Sequence, residues 1–146
     1  MKLLIVNGPN LNMLGIREPD LYGIQDYPAL CGYITQHARR LGIEADIFQS
    51  NHEGELIDRI QRALGNADAI IVNPAAYTHT SIALLDTLKA VGLPACEVHL
   101  TNPDQREDFR KTSYVRLYCE KTFAGFGFDS YRMAMEYLVA TCRKDP

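Results

Sequence analysis

Leu3-Leu4-Ile5-Val6, followed at once by Asn7-Gly8-Pro9-Asn10-Leu11-Asn12, is the stretch whose reading decides the fold of this chain. A short β-type apolar run meets Gly and Pro, which punctuate regular structure, so a strand ends there and delivers the chain to one edge of a sheet. The next helical pattern begins only at about Asp26. That interval is far longer than the roughly 2 to 6 residues of an ordinary α/β connection, which predicts a functional loop. Its second half, Arg17-Glu18-Pro19-Asp20-Leu21-Tyr22-Gly23, is expected to act as an active-site lid over about residues 17–25.

Outward from this opening, further β-type runs follow at Glu44 to Gln49, Ala69 to Asn73, Ala95 to His99 and Lys121 to Gly125, after the first at Leu3 to Asn7. Helical spacing fills the gaps between them. Tyr27, Leu30, Cys31, Ile34, Ala38 and Leu41 precede a Gly42 stop, and Leu56, Ile57, Ile60 and Leu64 precede Gly65. Ile82, Leu85, Leu88 and Val91 run to Gly92-Leu93-Pro94, and Tyr131, Ala134, Met135, Leu138 and Cys142 make the last stripe. These stripes are read as core faces. Strands alternating with helices predict an α/β chain with a parallel sheet covered on both faces. Five strands in simple succession fit a single flavodoxin-like domain over 1–146, with sheet order 2-1-3-4-5. In such sheets ligands bind beyond the carboxyl ends of the strands, beside the switch point. The polar segments Asn10 to Tyr22, Asn73 to Ser81 and Glu97 to Arg110 should therefore converge.

Composition narrows the classes. At 146 residues the chain suits one domain, and 47% hydrophobic with 23% charged residues is ordinary for a globular protein. A formal net charge of -3 provides no basic field for nucleic acid or an anionic membrane surface. No apolar run approaches the roughly 20 residues needed to span a bilayer, and the first run meets Asn7-Gly8-Pro9 too soon for a signal peptide, so a cytoplasmic protein is expected. Cys31, Cys96, Cys119 and Cys142 form no Cys-x-x-Cys pair and are read as reduced core thiols; nothing in their spacing supports a zinc site.

Four groups have the chemistry of a site, and each has a plain structural alternative. Tyr22 follows Arg17 by five positions, and a fixed positive charge favours an ionised phenol and hence a base; the alternative is a surface tyrosine over an apolar patch. Glu97 and His99 are two apart on a strand, so both point to one face. A carboxylate there can fix the imidazole tautomer and keep it protonated as a general acid, or the two can form a structural ion pair closing the sheet edge. Asn73-Pro74-Ala75-Ala76-Tyr77-Thr78-His79-Thr80-Ser81 offers three N-cap hydroxyls and a helix start that favours an anion, with His79 facing it; otherwise the hydroxyls only cap and His79 is solvated. Arg106 and Arg110 share a face if their stretch is helical, either as a solvated surface or as a planar fork gripping carboxylate or hydroxyl oxygens. Gly125-Phe126-Gly127-Phe128-Asp129-Ser130 lacks the last glycine and the downstream acid of a dinucleotide loop, and His52-Glu53 has no second histidine for a zinc protease motif.

Taken together, Asn7 to Asn12, Arg17 to Gly23, Gln49-Ser50-Asn51-His52-Glu53-Gly54-Glu55-Leu56, Tyr77 to Ser81, Glu97-Val98-His99 and Arg106-Glu107-Asp108-Phe109-Arg110 closely resemble the type II 3-dehydroquinate dehydratases, in register from Met1 to about Leu138. The resemblance implies a cofactor-free trans dehydration of 3-dehydroquinate to 3-dehydroshikimate through an enolate, in the shikimate pathway or in quinate catabolism. By position, Tyr22 matches the base, Arg17 the residue keeping it ionised, and His99 the acid that protonates the departing hydroxyl. Asn10 matches the residue positioning a water or donor at the enolate oxygen, and Glu97 the partner of His99. Asn73, His79, Asp86, the backbone of Leu100 and Thr101, and Arg110 match the substrate-binding set. The resemblance also implies a homododecamer built as a tetramer of trimers.

The match has departures. Ala75 stands where the family usually has glycine, Thr101 replaces the usual serine, and Asp104 and Thr112 stand where histidine is common. Val115-Arg116-Leu117-Tyr118-Cys119-Glu120-Lys121 lacks the usual Ser-Pro and glycine, which touches subunit contacts more than chemistry. Two rival readings follow: a flavodoxin-like ligand-binding module, opposed by Asn-Gly-Pro-Asn where a phosphate loop would be rich in Gly, Ser and Thr, and a catalytically inactive assembly protein, opposed by the presence of every named catalytic residue.

Overall fold

All of Ala69–Asn73 and Ala95–His99 is buried, as is every residue of Lys2–Asn7 after the first, which is what a parallel sheet covered on both faces requires. The computed structural model describes residues 1–16 and 25–143. Its strands, β1 (Lys2–Asn7), β2 (Glu44–Gln49), β3 (Ala69–Asn73), β4 (Ala95–His99) and β5 (Lys121–Ala124), pair in parallel in the order β2-β1-β3-β4-β5. The single α/β domain and the sheet order expected from the sequence are both present. The helices are α1 (Tyr27–Leu41), α2 (Glu53–Gln61), α3 (Ile82–Val91) and α4 (Asp129–Cys142).

Strand alternation splits the core into two layers. Leu3, Ile5, Ala69, Ile71, Cys96 and Val98 pack on α1 and α4 through Leu30, Ile34, Tyr131, Ala134, Met135 and Leu138. Leu4, Val6, Ile70, Val72 and Ala95 pack on α2 and α3 through Leu56, Ile60, Leu84, Leu88 and Val91. Local chemistry sets the helix ends. Asp26 accepts the Ala29 N–H at 2.9 Å with Pro28 in the first turn, and α1 stops at Gly42 with φ 69°. Ser50 accepts the His52 N–H and donates to Glu55 before α2, and Ser81 accepts the Leu84 N–H to cap α3. Among the described residues no helix is long and apolar enough to cross a membrane.

Four expectations are corrected in detail. Leu64 lies in the turn beyond the end of α2 and is 61% exposed, and Ile82 opens α3 pointing outward, so neither belongs to a core face. β5 stops at Ala124, where Gly125 turns with φ 90°. The Arg106–Arg110 stretch is not one helix: two one-turn 3-10 segments, Pro103–Gln105 and Asp108–Lys111, flank an extended Arg106, because each turn is too short to nucleate α-helix. Of the four cysteines, all free, only Cys96 is fully buried.

The exits of β1 and β3 lie side by side, with Asn7 and Asn73 in register. Both side chains are buried and meet the hydroxyl of Tyr131 on α4, which accepts from Asn73 Nδ2 at 2.9 Å and donates to Asn7 Oδ1 at 2.7 Å. Beside them Gly8 donates its N–H to the Asn73 carbonyl at 2.8 Å; a Cβ there would stand 2.4 Å from the Pro74 carbonyl oxygen, so only glycine lets the two exits touch. Asn73 Oδ1 accepts the N–H of Ala75 at 3.2 Å, and Ala75 sits at φ 54°, a left-handed conformation disfavoured for a residue with a Cβ.

Tyr131→Phe keeps the ring and strips both asparagines of a buried partner, so it should lower stability by about 2 kcal/mol or more in urea titration. Ala75→Gly removes a left-handed alanine. Relief of that strain offsets the greater freedom of glycine in the unfolded chain, and the unfolding free energy from urea titration should hold to within about 0.5 kcal/mol, whereas the same change inside a regular helix costs about 0.5–1 kcal/mol.

Candidate active site

The described parts of the three polar segments converge on one cleft at the carboxyl ends of β1, β3 and β4, beside the switch between β1 and β3. The cleft is concave, opens to solvent and carries polar side chains on three sides, the form of a small-molecule site. The β1 exit supplies Pro9, Asn10 and Leu11, the β3 exit supplies Asn73, Ala75, Ala76 and His79, and the β4 exit supplies His99, Leu100, Thr101, Pro103, Arg106 and Arg110. Asn10, Asn73, His79, His99, Leu100, Thr101 and Arg110 are thus brought together. Asp86 is exposed on α3 and does not line the cleft. Arg17, Tyr22 and the proposed lid fall within 17–24, outside the described residues apart from Gln25.

Asn10 is held from behind. Its backbone is left-handed, φ 70°, and its N–H is donated to Asn51 Oδ1 at 3.0 Å. Gln49 at the end of β2 donates to the same Asn51 oxygen at 3.2 Å and to the Gly8 carbonyl at 3.1 Å. The strand-end bracket of Gln49 and Asn51 fixes the β1 exit that carries Asn10.

His99 and Glu97 lie on one face of β4, as their spacing predicts, and His99 Nε2–H donates to Glu97 Oε2 at 2.7 Å. That bond leaves Nδ1 as the ring nitrogen not engaged by Glu97. Glu97 itself has no exposed surface. Burial opposes its charge, yet the bond and charge of His99, with the hydrogen bonds of Ser113 and Arg116, outweigh it and hold the carboxyl down at about 2. Ser113 Oγ donates at 2.5 Å, Arg116 Nε at 3.0 Å and Thr122 Oγ1 at 2.8 Å. The pair is buried, with His99 on the cleft wall and Glu97 behind it.

His79 donates Nδ1–H to the Thr112 carbonyl at 2.7 Å. Burial pulls its pKa below the ordinary histidine value, and the charges of Arg110 and His99 act in the same sense against the Thr112 bond, which favours a neutral ring with Nε2 as acceptor. Arg110 donates Nε–H to the exposed Glu107 at 2.5 Å and lies with its guanidinium 5.1 Å from the Phe109 ring centre. Ser81 does the capping of α3, while Thr78 is buried one turn earlier. Among the described residues no three His, Cys, Asp or Glu side chains are grouped to hold a metal ion.

Sequence reasoning gave no part in the site to Gln49, Asn51, Ser113, Arg116 or Thr122, and read Tyr131 as a core residue only. Gln49 and Asn51 stand within a quoted motif but carry no reactive group. Arg116 and Thr122 are 19 and 25 residues from Glu97, a separation that no local spacing rule reaches.

The profile described as "Dehydroquinase class II" matches residues 1–139. The 3-dehydroquinate dehydratase of Campylobacter hominis is 50% identical over 135 residues, covering 92% of this chain and 87% of that one. That of Geotalea daltonii is 49% identical over 144 residues, covering 99% and 100%. The crystal structure of the type II dehydroquinase from Butyrivibrio crossotus superposes with a TM-score of 0.93 at 44% identity, covering 94% of this chain and 97% of that one. With a sheet order, a cleft and a near full-length sequence match in common, the chain belongs to the class II dehydroquinase family.

Proposed function

We propose that this chain is a lyase that converts 3-dehydroquinate to 3-dehydroshikimate and water through an enolate. The observation that carries the reading is the buried Glu97–His99 pair at a cleft lined by His79, Asn73 and Arg110, in a chain whose relatives are 3-dehydroquinate dehydratases. The reaction asks for two groups of opposed role, a base for a weakly acidic carbon proton and an acid for a poor leaving group.

In this reading Tyr22, kept as phenolate by Arg17, takes the proton next to the ketone and the electron pair moves onto the carbonyl oxygen. The enolate then re-forms the ketone, a carbon–carbon double bond forms, and the hydroxyl leaves with the proton of His99 as water. Solvent returns a proton to His99 and removes one from Tyr22. Asn10 places a water or donor at the enolate oxygen, a preorganised dipole where charge develops. Glu97 holds the imidazolium. Asn73, neutral His79, Arg110 and the backbone of Leu100 and Thr101 bind the ring hydroxyls and carboxylate. Asp86 matches the same substrate-binding set, although it does not line the cleft of its own chain. The reading includes a homododecamer, a tetramer of trimers, working in the cytoplasm in aromatic biosynthesis or quinate catabolism. The lid at about 17–25 would exclude water from the enolate.

The pure protein in EDTA, with no added cofactor, should convert 3-dehydroquinate to an ultraviolet-absorbing conjugated enone. Tyr22→Phe should lower kcat by about 10³-fold or more with an unchanged circular dichroism spectrum, on the scale of losing a general base together with its charge. Full activity in that variant would remove Tyr22 from the base role.

A further inference from the structure

We propose that Arg116 is a positioning residue for this reaction: a second cation that shares the buried Glu97 carboxylate with His99 and so makes the imidazolium a readier proton donor. The inference rests on the dehydratase reading above. Glu97 is completely enclosed, and its two oxygens divide the work. Oε2 takes His99 Nε2–H at 2.7 Å and Ser113 Oγ–H at 2.5 Å; Oε1 takes Arg116 Nε–H at 3.0 Å and Thr122 Oγ1–H at 2.8 Å. Four donors fill the four lone-pair directions of a carboxylate, so its plane and rotamer are fixed from both ends. The Arg116 N–H also points to Ser113 Oγ at 3.4 Å, and neighbouring Val115 is buried against the α2–α3 layer, which anchors the turn bearing the guanidinium.

The charge argument follows from the geometry. A buried carboxylate whose sole cation is the imidazolium would hold that proton tightly, which suits a structural pair and hinders an acid. Arg116, permanently charged, takes part of that field on the opposite oxygen and keeps Glu97 ionised when the proton leaves. The other groups facing the pair do not replace it. His79 and Arg110 act from the cleft side, Arg106 lines the cleft, and the Cys119 thiol beside Glu97 is kept neutral because burial pushes its pKa up. The Arg116 side chain is 38% exposed, so part of it lies in solvent while its Nε reaches the buried carboxylate. It also falls in the segment that departs from the family pattern, and here that departure lands on the acid pair rather than on the surface.

The test compares the full chain with Arg116→Gln, Arg116→Lys and Thr122→Val, following 3-dehydroquinate turnover from pH 5.5 to 10. Arg116→Gln should lower kcat about fivefold or more with KM within about twofold, and move the alkaline limb of the kcat profile upward by roughly half a pH unit or more. Arg116→Lys should recover the position of the limb. Thr122→Val, which removes a neutral donor from the same oxygen, should lower kcat without moving it. A limb at the wild-type pH in Arg116→Gln would overturn the proposal, whatever the change in stability. Should Arg116→Gln fail to fold, Arg116→Met preserves the packing of the stem and reads the same way. NMR titration of labelled His99 supplies a readout independent of turnover: an upward shift in Arg116→Gln supports the proposal even if 3-dehydroquinate is not the substrate, and no shift rejects it.

Discussion

A negative charge with no access to water sits at the end of the fourth strand, and the surrounding structure is arranged to tolerate it. An isolated carboxylate buried in this way would cost many kcal/mol or take up a proton. Glu97 avoids both because four donors reach it from three places in the chain: His99 on its own strand, Ser113 and Arg116 in the connection to β5, and Thr122 on β5. The β4–β5 pairing matters here beyond its own hydrogen bonds, since Thr122 is the register partner of Glu97. Removing the carboxylate would leave a guanidinium, an imidazole and two hydroxyls facing one another across an empty centre. This is a structural element whichever chemistry it serves.

The neighbouring strand ends solve a neutral version of the same problem. Asn7 and Asn73 carry polar side chains into an otherwise largely apolar layer, and Tyr131 from α4 bonds both. Its hydroxyl also sees Tyr27 through Asn7, and burial pushes the Tyr27 phenol up to about 12. These hydroxyls therefore stay protonated and can donate. The network ends at Asn73, whose Oδ1 holds the strained Ala75 turn on the cleft wall. The floor of the cleft is thus tied to the core, and rigidity there is what preorganised dipoles require.

The sequence made the frame legible because the frame is built from periodic apolar burial. Strand boundaries at Glu44–Gln49, Ala69–Asn73 and Ala95–His99 coincide with the expected runs, and Gly42 and Gly92 stop their helices as glycine in a left-handed cap does. Legibility fails where tertiary contacts, rather than local pattern, decide. Leu64 has the right spacing for a helix stripe, yet α2 ends at Gln61 and the turn carries it into solvent. Arg106 and Arg110 reach one cleft without sharing a helix, because the chain folds into separate turns that no four-residue rule describes. Within the site, Glu97 and His99 were readable from strand alternation, a local rule. Arg116 was not, since its partner is set by how one loop crosses the end of the sheet.

That contrast bears on how a departure from a family pattern should be weighed. Arg116 and its neighbours first suggest altered surface contacts or a lost activity, because the segment lacks the residues usual there. A charged side chain placed at random beside a buried carboxylate and a histidine would be costly or disruptive. Here its Nε lies 3.0 Å from the carboxylate oxygen that His99 does not use, at the distance of a donor to an anion, while the side chain remains partly in solvent. In the proposed cycle, in which His99 gains and loses its own proton, a cation at that point conserves the ionised state of Glu97. Two cations around one carboxylate leave a net positive centre while the imidazole is charged and a neutral one after it donates. The second state is the easier to bury, so the electrostatics of the pocket favour the direction in which an acid must act.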